Sequence, residues 1–128
     1  MKTSAAITTA LIIGSILLFQ SSYIGKSPQK GGSIYTADVK KVIDSKCYGC
    51  HSAAGDSRSA KFALLWDSLP NLPKNKLVAA LDDIVKVLRK NEMPPASAVK
   101  RYPELKMLPE ESRLLQSWAV SRADSLLK

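Results

Sequence analysis

The residues best suited to chemistry stand in one short run, Cys47-Tyr48-Gly49-Cys50-His51. The chain of 128 residues holds 2 cysteines and 1 histidine, and all three are here. Two thiols separated by two residues, followed at once by an imidazole, form the attachment pattern of c-type haem. Each thiol can add to a vinyl group, giving two thioethers. His51 then lies beneath the iron, where its imidazole can bind as the proximal ligand. Tyr48 and Gly49 act as spacers, and Gly49 is expected to keep the turn tight. Three other readings compete. A thioredoxin-like dithiol asks for a βαβ setting, yet no strand-like alternation precedes Cys47. A zinc site wants four ligands, and no second Cys/His pair exists. A plain disulfide would leave His51 without a role.

An iron held by one histidine has either a second protein ligand or an open face. A second histidine is ruled out within this chain, and so is a thiolate if both cysteines hold the porphyrin. The soft candidates left are the thioethers of Met93 and Met107, with lysine or tyrosine less usual. Met93 sits in Glu92-Met93-Pro94-Pro95, where the prolines stiffen the loop and let the sulfur be presented at little entropic cost. Met107 sits in Lys106-Met107-Leu108-Pro109, just before a helix, where it reads as an apolar contact. The expected iron ligands are therefore His51 and Met93, with Met107 the alternative at the distal position. His/Met ligation raises the reduction potential, which suits an electron carrier.

The elements that must position these residues are helical. Val39, Val42 and Ile43 recur at i, i+3 and i+4, predicting a short amphipathic helix that runs into the motif. Ser52 to Ser59 reads as loop, and Lys61 to Ser68 as a short helix closed by Pro70 and Pro73. Lys74 to Lys90 carries the clearest period, with Leu77, Leu81, Ile84, Val85 and Leu88 on one face. Pro94-Pro95 is expected to stop that helix, and an irregular stretch follows. Pro109-Glu110-Glu111 opens a last helix, with proline in the first turn and acids at the positive dipole end. Its buried stripe is Leu114, Leu115, Trp118 and Ala119, with Leu126 extending it. The predicted fold class is all-α.

One domain is expected at this length, small enough for a large cofactor to matter to its stability. The formal charge is +8, which fits an acidic partner, an anionic membrane surface, or simply a well-solvated basic protein. The basic residues are scattered and not interleaved with aromatics, which argues against nucleic acid. Lys46, Lys61 and Lys90 are candidates for steering a partner, against ordinary solvation for any one of them.

Lys2 followed by an apolar run from Ala5 to Phe19 reads as an export signal. Residues 1–25 are thus expected to be a signal peptide or an uncleaved N-terminal anchor, with a membrane tether through residues 5–24 in the second case. No cysteine near the leader could carry a lipid. Residues 26–35 are expected to be a flexible linker, and residues 36–128 the folded domain. The expected location is periplasmic or otherwise extracytoplasmic, where c-type haem is attached.

With these pieces in order, the chain resembles the bacterial haem-binding domain family within the mono-haem cytochrome c superfamily. The matching segments are Val42-Ile43 through Cys47-Tyr48-Gly49-Cys50-His51-Ser52, Phe62 to Trp66, Asn91-Glu92-Met93-Pro94-Pro95, Tyr102-Pro103-Glu104-Leu105-Lys106-Met107, and Pro109-Glu110-Glu111 to Trp118-Ala119. The resemblance implies a cytochrome c-like helical domain wrapped around one covalent haem c. It makes Cys47 and Cys50 the thioether sites and His51 and Met93 the iron ligands, and it gives Met107 to the core. Tyr102 stands where many relatives carry histidine before proline, which puts any role of that histidine in doubt here. The function implied is single-electron transfer to a redox partner with an acidic docking surface, and no catalysis. A haem-based sensor with a labile or open distal site is the alternative. A peroxidase is a weaker third reading, because no spare histidine remains as distal acid–base catalyst.

Overall fold

The computed structural model describes residues 33–128. The expected leader and residues 26–32 of the expected linker lie outside them. Within the described residues every regular element is helical: α1 (Ala37–Lys46), α2 (Tyr48–His51), α3 (Arg58–Ala63), α4 (Lys74–Arg89), α5 (Ala96–Arg101) and α6 (Pro109–Leu127), with short 3-10 turns at Leu69–Asn71 and Pro103–Leu105. The all-α expectation holds.

Helical periodicity places the core. On α1, Val39, Val42 and Ile43 are buried, while Lys40 on the outer face pairs with Asp44 at 2.7 Å. All five apolar residues of the α4 stripe are buried. This face packs chiefly against α6, which contributes Leu115 and Ala119 and also touches α1. Each such aliphatic side chain removed from water contributes roughly 1.5–3 kcal/mol, so the α4 stripe is the largest single source of stability.

Ile34 and Tyr35, expected in the linker, belong to the folded unit. The indole Nε1–H of Trp118 donates to Ile34 O at 2.8 Å, and Tyr35 Oη donates to Trp66 O at 2.8 Å. The rings of Tyr35, Trp66 and Trp118 pack together, with centroids 5.5 to 6.3 Å apart. Such contacts add modestly to plain area burial, and here they tie the chain before α1 to α6.

Helix ends depart from expectation in two places. α4 does not wait for Pro94. Asn91 takes φ 54, Asn91 N–H donates to Leu88 O at 3.2 Å, and Glu92 N–H donates to Val87 O at 2.9 Å. This left-handed turn closes the helix and satisfies its last carbonyls, with asparagine supplying the tolerance for positive φ. α3 begins earlier than expected, because Ser57 Oγ accepts from Ala60 N–H at 3.2 Å and caps it. The stretch read as irregular after Pro95 holds α5 and the second 3-10 turn. α6 starts where Pro109 and the acids place it, and the Glu111 carboxylate accepts from Leu108 N–H at 2.8 Å.

Candidate functional site

The motif occupies the corner between α1 and α3. Cys47 ends α1, its N–H donating to Ile43 O at 2.9 Å, and the N–H groups of Cys50 and His51 both donate to Cys47 O, at 3.2 and 3.0 Å. The run Cys47-Tyr48-Gly49-Cys50-His51 is thus one helical turn. In a helix, residues at i, i+3 and i+4 are neighbours on one face, and these are Cys47, Cys50 and His51.

Gly49 is not the glycine this corner depends on. A Cβ at Gly49 would meet nothing within 4 Å, whereas a Cβ at Gly55 would lie 2.6 Å from Cys50 O. The loop after the motif folds back onto the Cys50 peptide so closely that only glycine fits.

A second segment, Leu64 to Asp67, clasps the motif. The Nδ1 of His51 lies 3.0 Å from Leu64 O. A carbonyl can only accept, so Nδ1 carries the proton, leaving Nε2 with its lone pair. Trp66 N–H donates to His51 O at 3.0 Å. Asp67 accepts from Ala53 N–H at 2.8 Å and from the Tyr48 hydroxyl. These two bonds hold its carboxyl below the usual range, the Tyr48 bond contributing most, and the same bond raises Tyr48. Leu64 supplies its carbonyl because it is extended, just beyond the end of α3.

A cavity of about 610 Å³ opens beside this corner. Cys47, Cys50 and His51 line it on one side, and Met93 lines it from the turn after α4. The four residues expected to form the site are therefore brought together from two distant parts of the chain. Met107, expected in the core, packs against core residues and also lines this cavity. Ala80, Ile84, Val87 and Leu105 contribute to a largely aliphatic wall. Both the volume and the apolar lining lie within the range usual for cofactor sites, about 300–1,000 Å³.

The donor set holds the groups that a covalent haem would take, two thiols, an imidazole and a thioether. Burial pushes the Cys47 thiol up to about 12, with the neighbouring Cys50 and Glu111 adding to the effect. Cys47 and Cys50 are not joined as a disulfide. Among the described residues, no three His, Cys, Asp or Glu side chains are placed closely enough to enclose a metal ion on their own. An imidazole with Nδ1 engaged, two thiols one turn apart and a thioether lining the same cavity are donors that a covalently held porphyrin iron would accept.

No protein family, curated protein or solved structure matches the chain. Among the described residues, no helix is long and apolar enough to cross a membrane.

Several parts of the site carry little or no sequence signal. The Leu64 carbonyl is backbone, and Asp67 acts from a turn. Lys46, one of three candidates for steering weighed against ordinary solvation, is tied into the fold: its Nζ donates to Glu104 O at 2.6 Å and lies 3.8 Å from Glu111, and its side chain is only 14% exposed. It ties the residue before Cys47 to the turn that leads to Met107.

Proposed function

We propose that this chain is an exported mono-haem c-type cytochrome that passes single electrons. The observation that carries the reading is the convergence of Cys47, Cys50, His51 and Met93 on one cavity. In this reading the helical domain is cytochrome c-like and closes around one haem c. Cys47 and Cys50 hold the porphyrin through thioethers. His51 binds the iron through Nε2, its ring fixed by the bond to Leu64 O, and Met93 supplies the distal sulfur. When bound, the group supplies one-electron iron chemistry, and no bond to substrate is made or broken.

The chain's own contribution is positional. Ala80, Ile84, Val87 and Leu88 of α4 would present apolar surface to a bound haem, which would favour the less charged reduced state. The Nδ1–H bond to Leu64 O fixes the plane of the imidazole and keeps Nε2 as the free donor. The partner is a redox protein with an acidic surface, matched to the +8 formal charge. An extracytoplasmic location follows from the leader-like N-terminus and from where c-type haem is attached.

Optical spectra of the haem-loaded protein test this reading. A near-infrared sulfur-to-iron charge-transfer band in the oxidised form, with no carbon monoxide uptake by the reduced form, is the expected result. Ready carbon monoxide binding without that band would overturn Met93 ligation and favour a sensor with an open distal face.

A further inference from the structure

We propose that α3 is the docking surface for the electron partner, with Phe62 at its apolar centre and Arg58 and Lys61 beside it. The inference rests on the haem reading above and adds the place where the electron leaves.

Phe62 is 85% exposed, more than any other large apolar side chain among the described residues. No residue of α3 is buried. The helix is held instead by the Ser57 cap and by Lys61 Nζ, which donates to Ala53 O at 3.3 Å. Phe62 is not part of the cavity wall, although Ala63 and Leu64 are. Its ring therefore serves neither the core nor the site, and a solvent-facing aromatic is the side chain most suited to anchor a protein partner.

Its position supplies the second argument. Leu64, two residues on, provides the carbonyl that accepts from His51 Nδ1 at 3.0 Å. A partner seated on Phe62 is joined to the proximal ligand by two residues of backbone and one hydrogen bond.

Charge supplies the third. α3 carries Arg58 and Lys61 and no carboxylate, with Asp56 just ahead of it. Among the described residues, neither Arg58 nor Lys61 forms an ion pair, whereas Lys86 pairs with Asp82 and Asp83, and Lys90 lies 3.9 Å from Glu92. Lys46 is committed to Glu104 O. Of the cavity-lining lysines, Lys76 alone has no such partner among the described residues. An apolar centre beside Arg58 and the Ala53-bonded Lys61, neither paired with a carboxylate among the described residues, fits a partner whose own apolar patch is bordered by carboxylates. A haem held by Cys47, Cys50, His51 and Met93 would give up one electron, Fe(II) becoming Fe(III), and the partner would gain it, with no proton or covalent bond moved.

The test is voltammetry of the haem-loaded full chain on gold coated with mixed methyl- and carboxylate-terminated thiols, the electrode taking the electron. F62S is expected to slow interfacial exchange roughly tenfold, as loss of one buried aromatic contact implies, while F62L stays near wild type and R58Q loses part of the salt dependence. Visible spectra and thermal midpoints should not move, because Phe62 is exposed. A haem-loaded F62S that exchanges at the wild-type rate overturns the docking proposal alone, as does slowing confined to K76Q. Failure of the wild-type protein to take up haem overturns the reading beneath it as well.

Discussion

The Nδ1–H of His51 is bonded to the main-chain carbonyl of Leu64 at 3.0 Å, across 13 residues of chain. This one bond decides which ring nitrogen is available to a metal. It also joins the motif to the segment that closes over it. His51→Gly should keep both thiols and lose the ligand. The reduced protein is then expected to turn five-coordinate or high-spin, and millimolar imidazole should restore the parent visible spectrum. A variant spectrum identical to that of the parent would remove His51 from the iron.

Met93 and Met107 line the same cavity but are held differently. Met93 follows the left-handed turn at Asn91, whereas the Met107 segment is pinned through Lys46 and packs on the core. Met93→Ala is expected to abolish the near-infrared band and let carbon monoxide bind. Met107→Ala should keep the band and lower stability by no more than the low end of the about 2–5 kcal/mol seen for buried methionine truncation. The opposite pattern would transfer the distal role to Met107.

Gly55 carries the steric demand of the site corner. Gly55→Ala forces a methyl group against Cys50 O and should destabilise by about 1–3 kcal/mol, as overpacking does. Gly49→Ala meets open space within a helical turn and should be neutral or stabilising by up to about 1 kcal/mol. Urea unfolding of the two haem-loaded variants checks the contrast, and equal losses would contradict it.

How much of this was legible beforehand follows from what each signal depends on. The α4 stripe from Leu77 to Leu88 was plain, because a buried helical face must repeat near every 3.6 residues. That Cys47, Cys50, His51 and Met93 would face one common space was legible by side-chain chemistry and elimination, and they line one cavity. What escaped depended on backbone or on distant partners. Asn91 ends α4 through its own tolerance of positive φ, three residues before the proline credited with it. Ser57 caps α3, a signal present in the sequence but masked by the small residues around it. The Leu64 carbonyl has no side-chain signature at all. Lys46 looked like a surface charge because its acceptor, Glu104 O, is 58 residues away.

Asp67 makes the loop pH-sensitive. Its folded value is lowered, first by the Tyr48 hydroxyl bond and then by Ala53 N–H. The stabilisation is therefore present above the unfolded carboxylate value, near about 4, and is lost as pH falls through the lower folded value. Wild-type protein should lose stability on acidification through this window, and Asp67→Asn should lose less across it. Parallel acid profiles from urea midpoints would show that Asp67 does not bear on the fold.

The most direct test of the central claim is extraction of the exported, purified protein with acidified acetone, followed by an alkaline pyridine spectrum of the pellet. Two thioethers from Cys47 and Cys50 to one porphyrin predict that the colour stays with the polypeptide, with one haem per chain and a pyridine spectrum lacking free vinyl groups. A colourless protein, or haem that leaves with the solvent, would contradict the account.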